Sequence, residues 1–191
     1  MTEPNIFISP KIDYSFQEIM KREKVIKSFL SALLKIAGEE MKSVVVKDPH
    51  LDKRHENDKL SILDVCLALN NNMEVNIEMQ IAPFPYWGNC SLYYNCRQFT
   101  DQAKEVNLYD DFKKCIHISI LDFHLFSKKE NPEYYTLFHL REDKTGLLYT
   151  DMLEFHVLEL KKIPENIKDK EDPLLLWARF INAKSERRWK C

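Results

Sequence analysis

Two strand-like segments joined by a short run of asparagines constrain this chain more than any other part of its sequence. Residues 59–69 and 74–81 are rich in β-branched and other apolar side chains, and the asparagines at 70–72 tolerate turn conformations well. Each segment also carries an acid between apolar neighbours, Asp64 in the first and Glu78 in the second. The pattern predicts a β-hairpin that brings ionisable groups into a largely apolar sheet.

The spacing of these acids predicts that they share one face of the sheet. Alternate residues of a strand point to the same face, so Glu78 and Gln80 lie together. A pairing register with an even sum, such as Asp64 opposite Gln80, adds Asp64 to that face. An ionised carboxylate among apolar neighbours is costly without a cation, and two carboxylates, an amide and several waters suit Mg²⁺. The commoner explanation for such a pattern is the solvent-exposed side of a half-buried hairpin.

The remaining pattern predicts helices on both sides of this hairpin. Ser9 and Pro10 are typical of a helix start, and apolar residues at helical spacing continue to Ala37, with Gly38 as a C-terminal cap. A second helix is predicted over residues 91–108. Its apolar face is formed by residues at helical spacing, and its other side is polar. The residues of that apolar face are Leu92, Cys96, Phe99, Ala103 and Val106.

Further apolar runs predict more strands and a closing helix. The predicted strands are residues 43–47, 114–123, 134–141 and 155–161, and the closing helix is 174–183. We expect one domain over residues 1–163, followed by a linker, the closing helix and a basic tail over 164–191, packed on or near the same domain.

Composition excludes several classes of function. The chain has 3 glycines, so no Gly-rich loop exists to hold a nucleotide phosphate. A net charge of -2 excludes a strongly cationic DNA-coating protein but allows a local basic groove. The 6 histidines lack zinc-ligand spacing. The 5 cysteines lack a CxxC pair, and no apolar run is long enough for a signal peptide or a membrane span, so we expect a cytoplasmic protein without a membrane partner.

Several short stretches occur in a specific order and spacing. They are ISPKIDYSF at residues 8–16, DKLSILDV at 58–65, NIEMQ at 76–80, SLYY at 91–94 with Gln102 and Tyr109, and later pieces at 118–123, 158–161 and 176–180. Together they resemble the recombination-promoting nuclease/transposase family of the PD-(D/E)XK superfamily, over most of residues 8–183. The resemblance implies an α/β fold with a restriction-endonuclease-like core, in which helices flank a mixed central β-sheet.

The resemblance also implies divalent-metal-dependent cleavage of DNA, linked to recombination or mobile elements. Asp64 and Glu78 then match the metal-binding carboxylates, and Mg²⁺ or Mn²⁺ is the expected cofactor. Gln80 stands where the wider superfamily has a lysine, and its amide can orient a water but cannot supply positive charge. Asp13 matches an acid at the start of the first helix and is a third expected metal ligand. An acid favoured there by the helix dipole is an equally good explanation.

Four further residues are expected to bind DNA or to support the site. Lys59 matches a lysine of the family and offers charge near the acids, although an ordinary solvated lysine is more common. Tyr94, Gln98 and Gln102 are spaced four apart and share a helix face, which suits hydrogen bonds to a DNA backbone or support of the metal site. A solvent-facing polar stripe is the commoner explanation for that spacing.

The chain departs from the family pattern at several positions and leaves more than one function open. Cys90 and Val106 stand where arginine and glycine are usual, and Gln17 and Glu18 replace lysines. Loss of an arginine removes a permanent charge and bidentate donors for phosphate. The leading hypothesis is a DNA endonuclease with DNA as partner and a homodimer as one candidate assembly. The alternatives are a catalytically degenerate module that binds DNA or protein, and a structural module unrelated to DNA.

Overall fold

Four helices and eight strands make up the described part of the chain. The structure, a computed structural model, describes residues 9–48, 50–51, 61–70, 72–104, 108–165 and 172–183. The helices are α1 (Asp13–Met20), α2 (Glu23–Leu34), α3 (Trp87–Asp101) and α4 (Pro173–Ile181). The strands are β1 (Val44–Lys47), β2 (His50–Leu51), β3 (Ser61–Ile62), β4 (Val65–Leu69), β5 (Met73–Gln80), β6 (Lys114–Leu121), β7 (Tyr135–Arg141) and β8 (Leu148–Glu159).

Six of the strands form one mixed sheet in the order β1-β4-β5-β6-β8-β7. The central strands β5, β6 and β8 are parallel, and β1, β4 and β7 are antiparallel to their neighbours. The short strands β2 and β3 pair with each other in a separate two-stranded sheet. This α/β arrangement of a mixed sheet flanked by helices confirms the predicted fold class.

One face of the sheet is apolar and is covered by α1, α2 and α4. Alternate residues of β5 and β6 point into this core together with apolar side chains of the three helices. Each fully buried side chain of this kind contributes roughly 1.5–3 kcal/mol through the hydrophobic effect. The central members are Phe16, Met20, Ile26, Phe29, Leu30, Leu33, Val75, Ile77, Ile116, Ile118, Leu174, Ala178 and Ile181. The helix after the linker therefore shares this core, and the predicted division at residue 163 stays a prediction.

The prediction of one continuous first helix is wrong. Two helices, α1 and α2, replace it, because Lys21 stays helical while Arg22 turns to an extended conformation with ψ 117°. Ser9 lies in a turn before α1, where its carbonyl accepts a hydrogen bond from Ile12. The left-handed residue at the end of α2 is Lys35, with φ 56°, and not Gly38. Periodicity could not reveal the break, because both helices bury their apolar residues in the same core.

The predicted packing face of the second helix is also wrong. The buried side chains of α3 are mostly polar, namely Trp87, Ser91, Asn95, Arg97 and Gln98. In contrast, Leu92 is 49% exposed. Cys96 and Phe99 are partly buried, Ala103 is exposed, and Val106 lies outside the described residues. The helix turns its polar side inward because the sheet face beneath it is itself polar.

The predicted hairpin is present as β4 and β5, with Asn70 at its turn. Asn70 adopts a left-handed conformation with φ 53°. Its side chain also ties the turn to the segment before β1, since Oδ1 accepts a hydrogen bond from Ser43 N–H (3.2 Å) and Nδ2 donates one to the Glu40 carbonyl (2.7 Å). The hairpin is therefore anchored at the end opposite the acids.

Two strand boundaries differ from the prediction. The first hairpin strand is divided, because Ser61 and Ile62 pair with β2 before β4 begins. The last strand in chain order, β8, begins at Leu148, earlier than predicted.

None of the helices in the described ranges has the length and apolar character needed to span a bilayer.

Candidate metal centre

The two predicted acids meet at one edge of the sheet. Asp64 directly precedes β4, and Glu78 is the third residue from the end of β5. Since β4 runs antiparallel to β5, the start of β4 lies beside the end of β5. Parallel strands end at a common edge, so β6 and β8 also finish there. We call this side of the sheet the acid edge.

The pairing register brings the two acids close to each other. Val65 pairs with Ile77, and one further step along both strands places Asp64 beside Glu78. The register suggested from the sequence, with Asp64 opposite Gln80, is therefore wrong by two residues. A shift of two residues keeps the predicted parity, because the residue numbers of paired positions still have an even sum.

Backbone hydrogen bonds fix both carboxylates. Asp64 Oδ2 accepts a hydrogen bond from Met79 N–H at 2.7 Å, and Glu78 Oε1 accepts one from Asp64 N–H at 3.3 Å. Each acid is thus held by the backbone of the other's segment. Glu78 is only 8% exposed. With Asp64 half-buried and Glu78 buried, the acid pair is not the solvated side of a hairpin.

The surroundings disfavour negative charge on both acids. Burial, and secondarily the nearby charge of Asp64, raise the pKa of Glu78 to about 8. The pKa of Asp64 is also raised, first by burial and then by the charge of Asp13, against the effect of hydrogen bonds from Met79 N–H and Gln17. Within the described residues, no lysine or arginine is among the groups that lower either pKa. The pair is therefore suited to bind a cation.

The donor atoms fit a hard divalent cation. Two carboxylates supply oxygen ligands, and Mg²⁺ is commonly held in proteins by one or two carboxylates with water completing its octahedron. The described residues contain no group of three or more His, Cys, Asp or Glu side chains arranged to hold a metal ion. The charge of Asp13 is close enough to raise the pKa of Asp64, but in the described part of the chain Asp13 does not form a metal-binding group with the two acids.

Two glutamines border the acid pair. Gln80 is half-buried on the same face of β5 as Glu78, and its Nε2 donates a hydrogen bond to the Ala82 carbonyl at 3.1 Å. Gln17 on α1 hydrogen-bonds Asp64 and was missed as a site residue in the sequence, where it figured only as a replaced lysine. Gln17 lies one helical turn after Asp13, and this spacing was the signal that could have identified it as a site residue.

A buried polar layer continues from Glu78 beneath α3. Asn76 hydrogen-bonds Glu78, and its Nδ2 lies 3.0 Å from His117 Nδ1. Burial, with a smaller effect of His156, lowers the pKa of His117 to about 3, so its ring is neutral. Because Asn76 Nδ2 can only donate, His117 Nδ1 accepts and Nε2 carries the proton. Asn76 was detectable as the residue two before Glu78, whereas nothing in the sequence marked His117.

The three predicted polar residues of the second helix point toward this layer. The Tyr94 ring stacks over His117 with centroids 6.4 Å apart. Gln98 is buried and its Nε2 donates to Cys66 Sγ at 3.5 Å. Gln102 is buried too, and its amide exchanges hydrogen bonds with the backbone N–H and carbonyl of Lys113. The two glutamines thus face the sheet and not a solvent-exposed stripe, and Lys59 lies outside the described residues.

Comparison with known proteins gives one family. The family model described as PD-(D/E)XK nuclease family transposase matches residues 10–190. No curated protein and no solved structure matches the chain.

Proposed function

Because the chain belongs to the PD-(D/E)XK nuclease family of transposases, we propose that it is a divalent-metal-dependent DNA endonuclease. Membership indicates a nuclease-like function linked to mobile elements, with DNA as the implied partner. The observation that carries the finer proposal is the meeting of the half-buried Asp64 with the buried Glu78, two carboxylates fixed by backbone N–H groups of each other's segments. Burying two acids together is costly unless a cation joins them.

Asp64 and Glu78 are the proposed ligands of Mg²⁺ or Mn²⁺, with Asp13 as a third. A divalent ion held there supplies positive charge for a phosphoryl oxygen and lowers the pKa of a bound water. The hydrogen bonds from Met79 N–H to Asp64 and from Asp64 N–H to Glu78 leave the carboxylates little freedom to rotate. Such preorganisation reduces the ordering that binding requires.

The neighbouring amides have proposed positioning roles. Gln17 hydrogen-bonds Asp64 and orients its carboxylate from the side of α1. Gln80 is proposed to orient the attacking water through its amide oxygen or nitrogen. Its Nε2 is hydrogen-bonded to the Ala82 carbonyl. In that state the amide oxygen is the group available to accept a hydrogen bond from water.

Incubation of supercoiled plasmid with purified protein and Mg²⁺ or Mn²⁺ tests the proposal. We expect nicking by the unaltered protein and its loss in Asp64→Asn and Glu78→Gln, which keep side-chain size but remove the charge. Glu74→Gln is the matched control. Glu74 lies on the same strand and face as Glu78 and is buried as well, but Lys47 and Lys113 pair with it. Glu74→Gln should retain nicking.

The other outcomes decide between the alternative functions. DNA binding without nicking would contradict the enzyme and support a degenerate DNA-binding module. Neither binding nor nicking would support a structural module unrelated to DNA. Nicking that persists in Asp64→Asn and Glu78→Gln would place the activity elsewhere or in a contaminant.

The homodimer is a separate proposal. Light scattering on the purified protein tests it, because the chain mass is 22.8 kDa. A solution mass near twice that value supports a dimer, and a mass near the single-chain value contradicts it.

A further inference from the structure

A second charged cluster lies at the acid edge beside the metal centre. The Asp122 carboxylate is contacted by two lysines, with Lys11 Nζ at 2.8 Å and Lys161 Nζ at 3.1 Å from Oδ1. The side chains of Lys11 and Asp122 are 10% and 12% exposed, whereas that of Lys161 is 44% exposed. We call these three residues the lysine clamp.

The fold itself brings the clamp next to the acid pair. Asp122 directly follows β6 and Lys161 follows β8, and these parallel strands end at the same edge as β5. The Asp122 N–H donates a hydrogen bond to the Gln80 carbonyl at 2.9 Å. Lys11 lies in the short turn that leads into α1, the helix whose Gln17 hydrogen-bonds Asp64. The clamp and the metal centre thus share β5 and α1 as supports.

The charges of the clamp do not cancel. Burial alone would raise the pKa of Asp122, but hydrogen bonds and charges from Lys11 and Lys161 outweigh it and hold that pKa below its ordinary value. One ionised carboxylate therefore faces two ammonium groups, which leaves a net positive charge. The neighbouring Lys162 differs, because its ammonium group is fully buried against Glu159 in a one-to-one pair.

Resting on the proposed nuclease function, we propose that Lys11 and Lys161 bind a phosphate of the DNA backbone beside the metal centre. Lysine binds phosphate as a point charge. The clamp thereby supplies the positive charge that Gln80 cannot carry. Asp122 holds both lysines in place before DNA arrives, and Lys161, being the more exposed, makes the first contact with the phosphate.

A purely structural role for the clamp predicts different behaviour. Lys161 is too exposed for its ion pair to stabilise the fold much, since exposed pairs contribute little. If the clamp only tied α1 to the sheet, removing the Lys161 charge would leave DNA binding unchanged. If it binds phosphate, the loss appears in DNA affinity and in its dependence on salt, with folding unaffected.

Fluorescence anisotropy with a short mixed-sequence DNA duplex tests the proposal, with Ca²⁺ in place of Mg²⁺ to limit cleavage. The variants are Lys161→Gln, Lys161→Arg and the control Lys144→Gln. Lys144 is an exposed residue in the turn between β7 and β8, at the opposite end of β8 from Lys161. Titrations over a range of salt concentrations give the slope of log affinity against log salt.

We expect Lys161→Gln to weaken DNA binding about tenfold at low salt and to reduce the salt slope by about 0.9, the value for one lost phosphate contact. Lys161→Arg should keep near-normal binding, and Lys144→Gln should match the unaltered protein. The thermal midpoint and the Mg²⁺ affinity of Lys161→Gln should stay unchanged, because the acid pair is intact.

Three results would overturn the inference, and they separate it from the nuclease proposal. If Lys161→Gln and Lys144→Gln bind DNA equally well while the unaltered protein binds and nicks DNA, the phosphate-binding role of the lysine clamp is contradicted and the nuclease proposal is not. A weakened Lys161→Gln with a lowered thermal midpoint that Lys161→Arg does not restore would indicate a structural role. No DNA binding by the unaltered protein would overturn both proposals.

Discussion

The two faces of the central strand β5 are buried to a similar degree, but with opposite chemistry. On one face Val75, Ile77 and Met79 of β5 pack against the apolar side chains of α1, α2 and α4. On the other, Asn76 and Glu78 of the same strand lie under the polar side of α3. Consecutive residues of a single strand therefore lie in two different environments, one an apolar core and the other a buried polar layer.

The difference indicates which face contributes most to the stability of the fold. Apolar burial contributes roughly 25 cal/mol per Å². Buried polar groups give little net gain even when hydrogen-bonded, and they are costly when they are not. Asn76 and His117 are fully buried, and in the described part of the chain Asn76 Oδ1 and His117 Nε2 have no hydrogen-bond partner. We infer that this layer is kept because it supports Glu78 and not because it adds stability.

The largest effect is expected on the apolar face. Leu30 of α2 is fully buried in the core, and Leu30→Ala should lower the free energy of unfolding by about 2–5 kcal/mol through lost burial and a cavity. Leu176→Ala on α4 is the matched control, because Leu176 is exposed and its loss should be nearly neutral. Urea denaturation measures both. Similar losses in the two variants would contradict the assigned core.

On the polar face, the metal-free protein should lose stability as pH rises. The pKa of Glu78 is about 8 in the folded state against an ordinary 4.5, so the folded state keeps a proton that the unfolded chain releases. The stabilisation from this proton is complete below about pH 4.5 and is lost as pH rises to about 8, by on the order of 2–4 kcal/mol. Denaturation at about pH 5 and about pH 8.5 measures it.

Two controls identify Glu78 as the origin of that pH dependence. Glu78→Gln should remove most of it, since the amide does not titrate. Added Mg²⁺ should restore stability at high pH in the unaltered protein but not in Glu78→Gln, because only the folded acid pair binds the ion. An unchanged pH dependence in Glu78→Gln would assign it to other groups.

A smaller effect is expected from the layer beneath Glu78. Asn76→Leu removes the hydrogen-bond partner of buried His117 and should cost about 1–3 kcal/mol. Because Asn76 also hydrogen-bonds Glu78, Mg²⁺ affinity should fall about 10–100-fold in calorimetric titration. A double variant, Asn76→Leu with His117→Phe, should recover stability but not metal affinity. Recovery of metal affinity would show that the layer does not support Glu78.

The smallest effect is expected where the sequence predicted a core residue on the wrong side of α3. Leu92 is 49% exposed, so Leu92→Ser should change the free energy of unfolding by no more than about 0.5 kcal/mol. The same denaturation experiment measures it. A loss like that of Leu30→Ala would mean that Leu92 is buried against a partner.

The sequence predicted those elements whose burial follows a regular apolar pattern. The hairpin of β4 and β5, the buried strand β6 and helix α4 all have such patterns and are present as expected. The closeness of Asp64 and Glu78 was predicted from strand alternation together with an assumed even-sum register, and the observed pairing of β4 with β5 keeps that even sum. Parity was enough to place both acids together.

The errors arise where tertiary contacts outweigh the local pattern. The buried side of α3 is polar because the sheet face below it holds Asn76, Glu78 and His117, and these partners are distant in sequence. His117 meets Asn76 only because β6 pairs in parallel with β5 after the whole of α3. No local signal encodes such a register. The placement of Gln17 against Asp64 likewise depends on how α1 docks.

The hydrogen bonds of Asn70 at the hairpin turn affect the position of the acid pair at the opposite end of the hairpin. The Asn70 side chain accepts a hydrogen bond from Ser43 N–H and donates one to the Glu40 carbonyl, so the end of β4 at the turn cannot shift past the segment before β1 without breaking them. A slip of one residue would send Asp64 to the opposite side of the sheet from Glu78. One residue inserted into either strand would therefore separate the acid pair while leaving both acids in the sequence, and we expect the pair to tolerate no change in the length of either strand.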